Sequence, residues 1–339
     1  MPPQNVALPA TISSSELIEI YRTMYLIRQF DNSLPPLYRS GKIRGTAHAY
    51  TGMEAIAAGT CHVLRPDDLI ASTHRGHGHC LAKGLEPRRM MEELMGRAQG
   101  YCRGKGGSLH LTSLVNGMLG ADGVVGGSLA LAVGAAYASN LIGRETVVVA
   151  YFGDGASNAG LFHEAANLAS ILSAPVLFVC ENNQWALSTR TTEVTAGPGI
   201  ADRAASYGIP GRSVDGNDVL AVIDAATPLV ERARIGQGPS LLEAKTYRMG
   251  LHSLYSSTGG DDRDPAELED WANKDPVDRT RALLLGLGEE PRVAEVEREV
   301  DELIARAISD AADSPYPEPS AAYEDVYSLS NVVGPDRLS

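Results

Sequence analysis

Two short polar clusters, each following an apolar run, carry the most legible chemistry in this chain: Gly153-Asp154-Gly155 and Asn182-Asn183, with 26 residues between them. A carboxylate at Asp154, an amide oxygen at Asn183 and the main-chain carbonyl of Trp185 suit a hard divalent cation such as Mg²⁺. Phosphate oxygens and a water would complete roughly six oxygen ligands. A glycine-acid-glycine turn alone also fits an ordinary α/β crossover, and Asn-Asn at the next strand end is what tells the two readings apart. A nicotinamide-binding turn fits worse, because Gly153 to Asn158 lacks the third glycine of that fingerprint.

A second cluster is basic. Thr73-His74-Arg75-Gly76-His77-Gly78-His79 places three histidines and an arginine after a short apolar run. Zinc is one reading, but no cysteine or carboxylate stands beside them at ligand spacing. Arginine and imidazole donors suit a diphosphate better, since guanidinium makes forked, charge-assisted bonds to phosphate oxygens. Arg103-Gly104-Lys105-Gly106-Gly107-Ser108 is not a nucleotide P-loop, because Lys105 is followed by glycine. Gly123 and Val125 lie in a glycine-rich stretch where the main chain can approach a planar ring. His48 and His252 stand in polar loops and could hydrogen-bond a carbonyl or move protons near neutral pH, with His77 in support.

The elements that must position these groups follow from pattern. Thr146–Phe152 and Val176–Cys180 are short, apolar and rich in β-branched residues, as buried parallel strands are. Leu161, Phe162, Ala165, Leu168, Ala169 and Leu172 recur at helical spacing between them. This is a βαβ unit, whose ligands belong at the carboxyl ends of the strands. A helix starting near Ala156 would add N–H groups and a positive dipole end for phosphate. Ser13 is a candidate cap for a helix through Leu17, Ile20, Met24 and Ile27. Leu69–Ser72 and Pro239–Tyr247 read as further strands, and Thr189–Gly199 as loop. Val124–Ile142 is uncharged but broken by glycines, so it reads as a close-packed alanine-rich helix and not a membrane span. The loop Ser256–Asp262 beside His252 reads as a mobile site element. An acidic helix through Val296, Val300, Ile304 and Ala311 precedes an extended tail that a partner subunit would order.

Charge is unevenly placed. Residues 261–339 carry 8 basic and 21 acidic groups, which accounts for the whole net charge of −13. The N-terminal third is slightly basic and keeps cations for an anionic ligand, while the overall balance argues against nucleic-acid binding. Four cysteines without Cys-x-x-Cys spacing, and no basic-then-apolar leader, point to reduced thiols in a cytoplasmic protein.

With these segments in hand, the chain resembles the alpha subunit of the thiamine-diphosphate-dependent component of 2-oxo acid and acetoin dehydrogenase complexes. Gly-Asp-Gly, a helix and a strand ending Asn-Asn look like the thiamine-diphosphate signature. Ala47-His48-Ala-Tyr50-Thr-Gly52-Met-Glu54 resembles the family's substrate-side histidine segment, and Tyr247-Arg248-x-Gly250-x-His252-Ser253 its active-site loop. His74-Arg75 fall where the family has an aromatic-arginine pair, and Thr73–Gly84 is similar to the acetoin branch. The resemblance spans roughly residues 16–315. After Ser253 the loop departs from the family pattern: the usual acidic residue and Tyr-Arg pair are missing.

The resemblance implies an α/β thiamine-diphosphate-binding fold, a mostly parallel sheet with helices on both faces plus a helical C-terminal extension. Residues 1–45 would form an arm and helix, 46–264 the diphosphate-binding domain, and 265–339 the acidic subunit-contact extension. It implies thiamine diphosphate bound through His74, Arg75, Gly123, Val125, Gly153, Asp154, Gly155, Ala156, Asn183 and Trp185, with Mg²⁺ on Asp154, Asn183 and Trp185. Catalytic roles fall to His48, His252 and His77. It also implies a beta subunit supplying the activating glutamate in an α₂β₂ assembly, and a lipoyl-bearing acyltransferase as acyl acceptor. A stand-alone thiamine-dependent lyase or transferase, and a non-catalytic paralogue acting in assembly, are the other readings.

Overall fold

The computed structural model describes residues 8, 12–255 and 263–325. The expected mobile element Ser256–Asp262 lies outside the described residues. Six strands form one all-parallel sheet: β1 (Leu69–Ala71), β2 (Met118–Gly120), β3 (Val148–Gly153), β4 (Val176–Asn182), β7 (Gly211–Asp215) and β8 (Ser240–Lys245), in the order β2-β1-β3-β4-β8-β7. A two-stranded ribbon, β5 (Trp185–Ala186) with β6 (Thr189–Arg190), follows β4 directly. It occupies the start of the stretch expected to be loop, and a short helix, Thr191–Val194, follows it. Strands β2 and β7 carry too few apolar residues in a row to be read from pattern.

Alternate residues of β3 and β4 divide between two cores, as a period of two requires. Val149, Tyr151, Leu177 and Val179 point to one face, where α1 (Ser14–Arg39), α2 (Glu54–His62) and the helix Val219–Arg234 pack. The helices Pro276–Gly286 and Glu290–Asp313 join the same cluster through Val277, Leu284, Val296 and Ile304. Helix α1 opens on a capping box in which Ser13 and Glu16 each take the other's backbone N–H. Val148, Ala150, Phe152, Phe178 and Cys180 point to the other face. It is covered by α5 (Gly127–Leu141), α6 (Gly160–Ile171) and the 3₁₀ segment Ala201–Tyr207, whose Ala204 and flanking Ile200 and Ile209 join the cluster; α3 (His77–Ala82) and α4 (Pro87–Leu94) follow β1 in the chain.

Two expectations need correction. The alanine-rich helix is not buried all round: Leu131, Leu141 and Ile142 are exposed along it, as are Leu168 and Ile171 on α6. The tail beyond Ser314 is ordered, as far as Asp325, by its own chain. Ala98 N–H donates to the Pro315 carbonyl, Arg97 lies over the Tyr316 ring, and Arg103 and Lys105 pair with Asp325.

Candidate active site

Strands β3 and β4 run in register, Gly153 opposite Glu181, so their carboxyl ends deliver Asp154 and Asn183 to one cavity of about 440 Å³. That is an ordinary size for a cofactor or substrate site. Trp185 also lines it, from the first residue of the ribbon. Asp154 is buried, its Oδ2 accepts from Thr191 Oγ1 at 2.5 Å, and burial pushes its carboxyl above the ordinary value. Asn183 Oδ1 accepts from the Trp185 N–H at 3.3 Å while the amide nitrogen turns to Met53 Sδ. Arg248 Nη1 donates to the Trp185 carbonyl at 3.2 Å.

Gly155 has a packing reason: a Cβ there would stand 2.6 Å from the Ala186 side chain of the ribbon. The chain then makes a 3₁₀ turn over Asp154–Asn158, and the α-helix begins only at Gly160. The helix start expected near Ala156 is therefore four residues later. Gly153, Gly155 and Ala156 still line the cavity, as do Gly123 and Val125 on the turn into α5. That turn is made at Gly126, which sits at φ +82° and leaves the helix to start at the next residue.

The dense basic segment splits. His74 and Arg75 face the cavity, whereas His77 and His79 sit in the first turn of α3 and point into the core. His77 shares hydrogen bonds with Asp31 Oδ1 (2.7 Å) and Ser108 Oγ (2.8 Å), so both ring nitrogens are engaged and it does not line the cavity. Its position is that of a brace between α1 and the glycine-rich loop. His79 shares hydrogen bonds with Ser72 Oγ (2.7 Å) and Glu181 Oε1 (3.0 Å), and stacks on Tyr151. A zinc site from His74, His77 and His79 is excluded by that divergence.

Instead His74 meets His48 and His252, brought from two other loops. Ring centroids are 4.7 Å apart for His48 and His74, 5.0 Å for His48 and His252, and 5.7 Å for His74 and His252. Burial, with Arg75 and the neighbouring rings, drives all three imidazoles down: His48 to about 2, His74 to about 3 and His252 to about 4. They are unprotonated near neutral pH. Arg75 braces the cluster, donating to the Ala49 carbonyl (2.7 Å) and the His252 carbonyl (2.8 Å). Burial and Arg248 lower it to about 9, which leaves it a cation at pH 7.

Sequence reasoning missed Glu181, Asp31 and Glu93. Glu181 lines the cavity and accepts from the Tyr50 hydroxyl. Its signal was a carboxylate closing an apolar strand directly before Asn182. Asp31 sits in the apolar stripe of α1 between Ile27 and Leu34, where a charge needs buried partners. Glu93 explains the glycine-rich loop: its carboxylate accepts the N–H groups of Cys102, Gly104, Gly106 and Gly107 at 2.7–3.0 Å. The loop is an anion nest filled from within the chain.

Comparison with known proteins agrees with this geometry. The dehydrogenase E1 component family model matches residues 21–320. The acetoin:2,6-dichlorophenolindophenol oxidoreductase alpha subunit of Bacillus subtilis is 43% identical over 317 residues, covering 94% of this chain and 95% of that protein. Its counterpart from Cupriavidus necator is 43% identical, covering 95% and 97%. The pyruvate dehydrogenase E1 component alpha subunit of Rhizobium meliloti is 38% identical, covering 94% and 91%. The chain belongs to the dehydrogenase E1 component family, as an alpha subunit that works with thiamine diphosphate and a beta subunit.

Proposed function

We propose that the assembled enzyme cleaves the carbon–carbon bond beside the carbonyl of a small neutral hydroxyketone of the acetoin type, and that Mg²⁺ anchors the cofactor on this chain. The residues fit the group. The cavity is lined by the buried Asp154 carboxylate and by the Arg75 cation, a set that suits a metal-diphosphate pair. His48 lines the same cavity, and its Nδ1 is a buried polar atom with no partner among the described residues. Asp154, Asn183 Oδ1 and the Trp185 carbonyl would hold the metal. Arg75 and His74 would serve the diphosphate, and Gly123 and Val125 the pyrimidine. When bound, thiamine diphosphate supplies the electron sink for carbon–carbon cleavage.

The observation that carries the substrate reading is the unprotonated imidazole cluster. Each neutral ring offers one N–H donor and one acceptor nitrogen. That set can donate to a carbonyl and accept from a hydroxyl on the adjacent carbon. A carboxylate asks for a cation, and the rings do not provide one at neutral pH. His48 and His252 are the rings we assign to substrate. The similarity to two acetoin oxidoreductase alpha subunits supports the same reading.

The beta subunit would cover the exposed side of α5 and α6, contribute the activating glutamate in an α₂β₂ assembly, and share the cofactor. The exposed apolar residues of those helices run on through Val124 and Val125 to the cavity mouth. A lipoyl-bearing acyltransferase would take the acyl group, and the assembly would work in the cytoplasm. The test is the co-expressed alpha–beta enzyme with an artificial electron acceptor. Acetoin should exceed pyruvate and branched-chain 2-oxo acids by about tenfold or more in kcat/KM; a preference for pyruvate overturns the substrate assignment. Asp154→Ala should abolish Mg²⁺-dependent cofactor retention on gel filtration, and unaltered retention removes the metal assignment.

A further inference from the structure

The oxygen donors and the imidazoles sit at different places in one cavity, and they differ in the metals they suit. One ligand nitrogen from each of His48, His74 and His252 lies within 4.8 Å of the other two. Zinc bound by imidazoles at about 2.0–2.1 Å brings its ligand nitrogens to a little over 3 Å from one another, so small side-chain rotations close the set. The three rings come from three separate loops and none is committed to a side-chain acid. His252 Nδ1 lies 3.3 Å from Arg75 Nη2, so Nε2 is the ring nitrogen outside that contact. His48 Nδ1 is buried and without a hydrogen-bond partner among the described residues, so no hydrogen bond of that nitrogen has to be broken for the ring to turn.

We infer that His48, His74 and His252 form a three-imidazole site for one borderline-soft divalent metal, Zn²⁺ in the first instance, with an open fourth position facing the cavity. Occupation withdraws His48 and His252 from substrate and His74 from the diphosphate, so the site is inhibitory and competes with the cofactor. Affinity follows ligand type: three imidazoles favour Cu²⁺, Ni²⁺ and Zn²⁺ over Mn²⁺, and do not select Mg²⁺. The adjacent Arg75 cation opposes any dication and holds the affinity below that of a dedicated zinc enzyme. Asp154, Asn183 and Trp185 remain the hard-cation donors, so one cavity carries two metal sites of opposite preference. The inference does not depend on which substrate the enzyme takes.

The experiment uses the complete alpha–beta enzyme, stripped of metal and cofactor, with Zn²⁺ and Co²⁺ as the probes. One Zn²⁺ per alpha chain should bind by calorimetry, and excess Mg²⁺ should not displace it. Co²⁺ should give the intense visible bands of a four-coordinate nitrogen site. His48→Gln, His252→Gln and His74→Tyr should each weaken Zn²⁺ binding by at least about tenfold, whereas Asp154→Asn should leave it unchanged. With cofactor and Mg²⁺ present, Zn²⁺ should inhibit wild-type turnover reversibly by chelation, and His74→Tyr should need at least about tenfold more Zn²⁺. Zn²⁺ affinity unchanged across all three histidine variants, six-coordinate cobalt spectra, or equal inhibition of wild type and His74→Tyr overturns the proposal. If His48→Gln or His252→Gln fails to fold, His74→Tyr alone decides, because an aromatic ring of similar reach fills its place.

Discussion

The two faces of the sheet are built from the same strands and finished in opposite ways. One face receives Val149, Tyr151, Leu177 and Val179 and is sealed by α1, α2 and the helix Val219–Arg234, with the C-terminal helices packed outside them. The other receives Val148, Phe152 and Phe178 and is covered mainly by α5 and α6, whose outer sides still show Leu131, Ile142 and Ile171 to solvent. Apolar patches of that kind on a folded chain mark an interaction surface. The sealed face is where the chain stabilises itself, and the open face is where the subunit is left unfinished. The cavity lined by Asp154 and Asn183 lies at the strand ends. It inherits rigid walls from one face and an exposed rim, Val124 and Val125, from the other.

The sharpest way to break this comparison is to charge the open face. Leu131→Asp combined with Ile171→Asp should cut alpha–beta association by about a hundredfold or more, since each buries an unpaired carboxylate in an apolar interface. Far-ultraviolet circular dichroism of the isolated alpha chain should stay unchanged. Intact assembly in sedimentation velocity would show that the partner sits elsewhere.

A matched pair of truncations tests the same contrast on a smaller scale. Leu177→Ala, on the sealed face, should destabilise the alpha chain by roughly 2–5 kcal/mol in urea unfolding. Ile171→Ala, 70% exposed, should change it by no more than about 0.5 kcal/mol and act on assembly instead. Similar stability losses for both would mean the two faces are equally consolidated within one chain.

The smallest expected effect is a pH dependence at the rim. The folded values of His252 and His74, about 4 and about 3, lie below the unfolded imidazole value of about 6.5. Between those limits the unfolded chain binds more protons, so stability rises with pH. The contribution is present above pH 6.5 and is lost as acid takes the protein through pH 4 and 3. His74→Phe should flatten the stability profile between pH 6.5 and 3; an unchanged slope would place the titration on other groups.

Much of this was readable in advance, for local reasons. Asp154 and Asn183 follow uninterrupted apolar strands, and parallel strands send their ends to the same edge, so the meeting of those two residues follows from chain pattern and handedness alone. Ser13 and Glu16 sit at capping-box spacing, which needs no tertiary information. The start of α6 was misplaced because Gly155 and the residues after it answer to Ala186 on the ribbon, a contact made only in three dimensions. The side His77 takes was not legible for a similar reason: at the head of a short helix, two residues beyond Arg75, it turns to Asp31 and away from the cavity.

The order of motifs along the chain determined the class of fold and the meeting of Asp154 and Asn183 at one sheet edge, because both depend on residue type and pattern at short range. Tertiary structure alone decided which histidines meet. His48, His74 and His252 are separated by 26 and 178 residues in sequence, and no periodicity links them. Their grouping, and the burial that keeps them unprotonated, arises from three loops converging over one cavity, a relation set by packing rather than by sequence spacing.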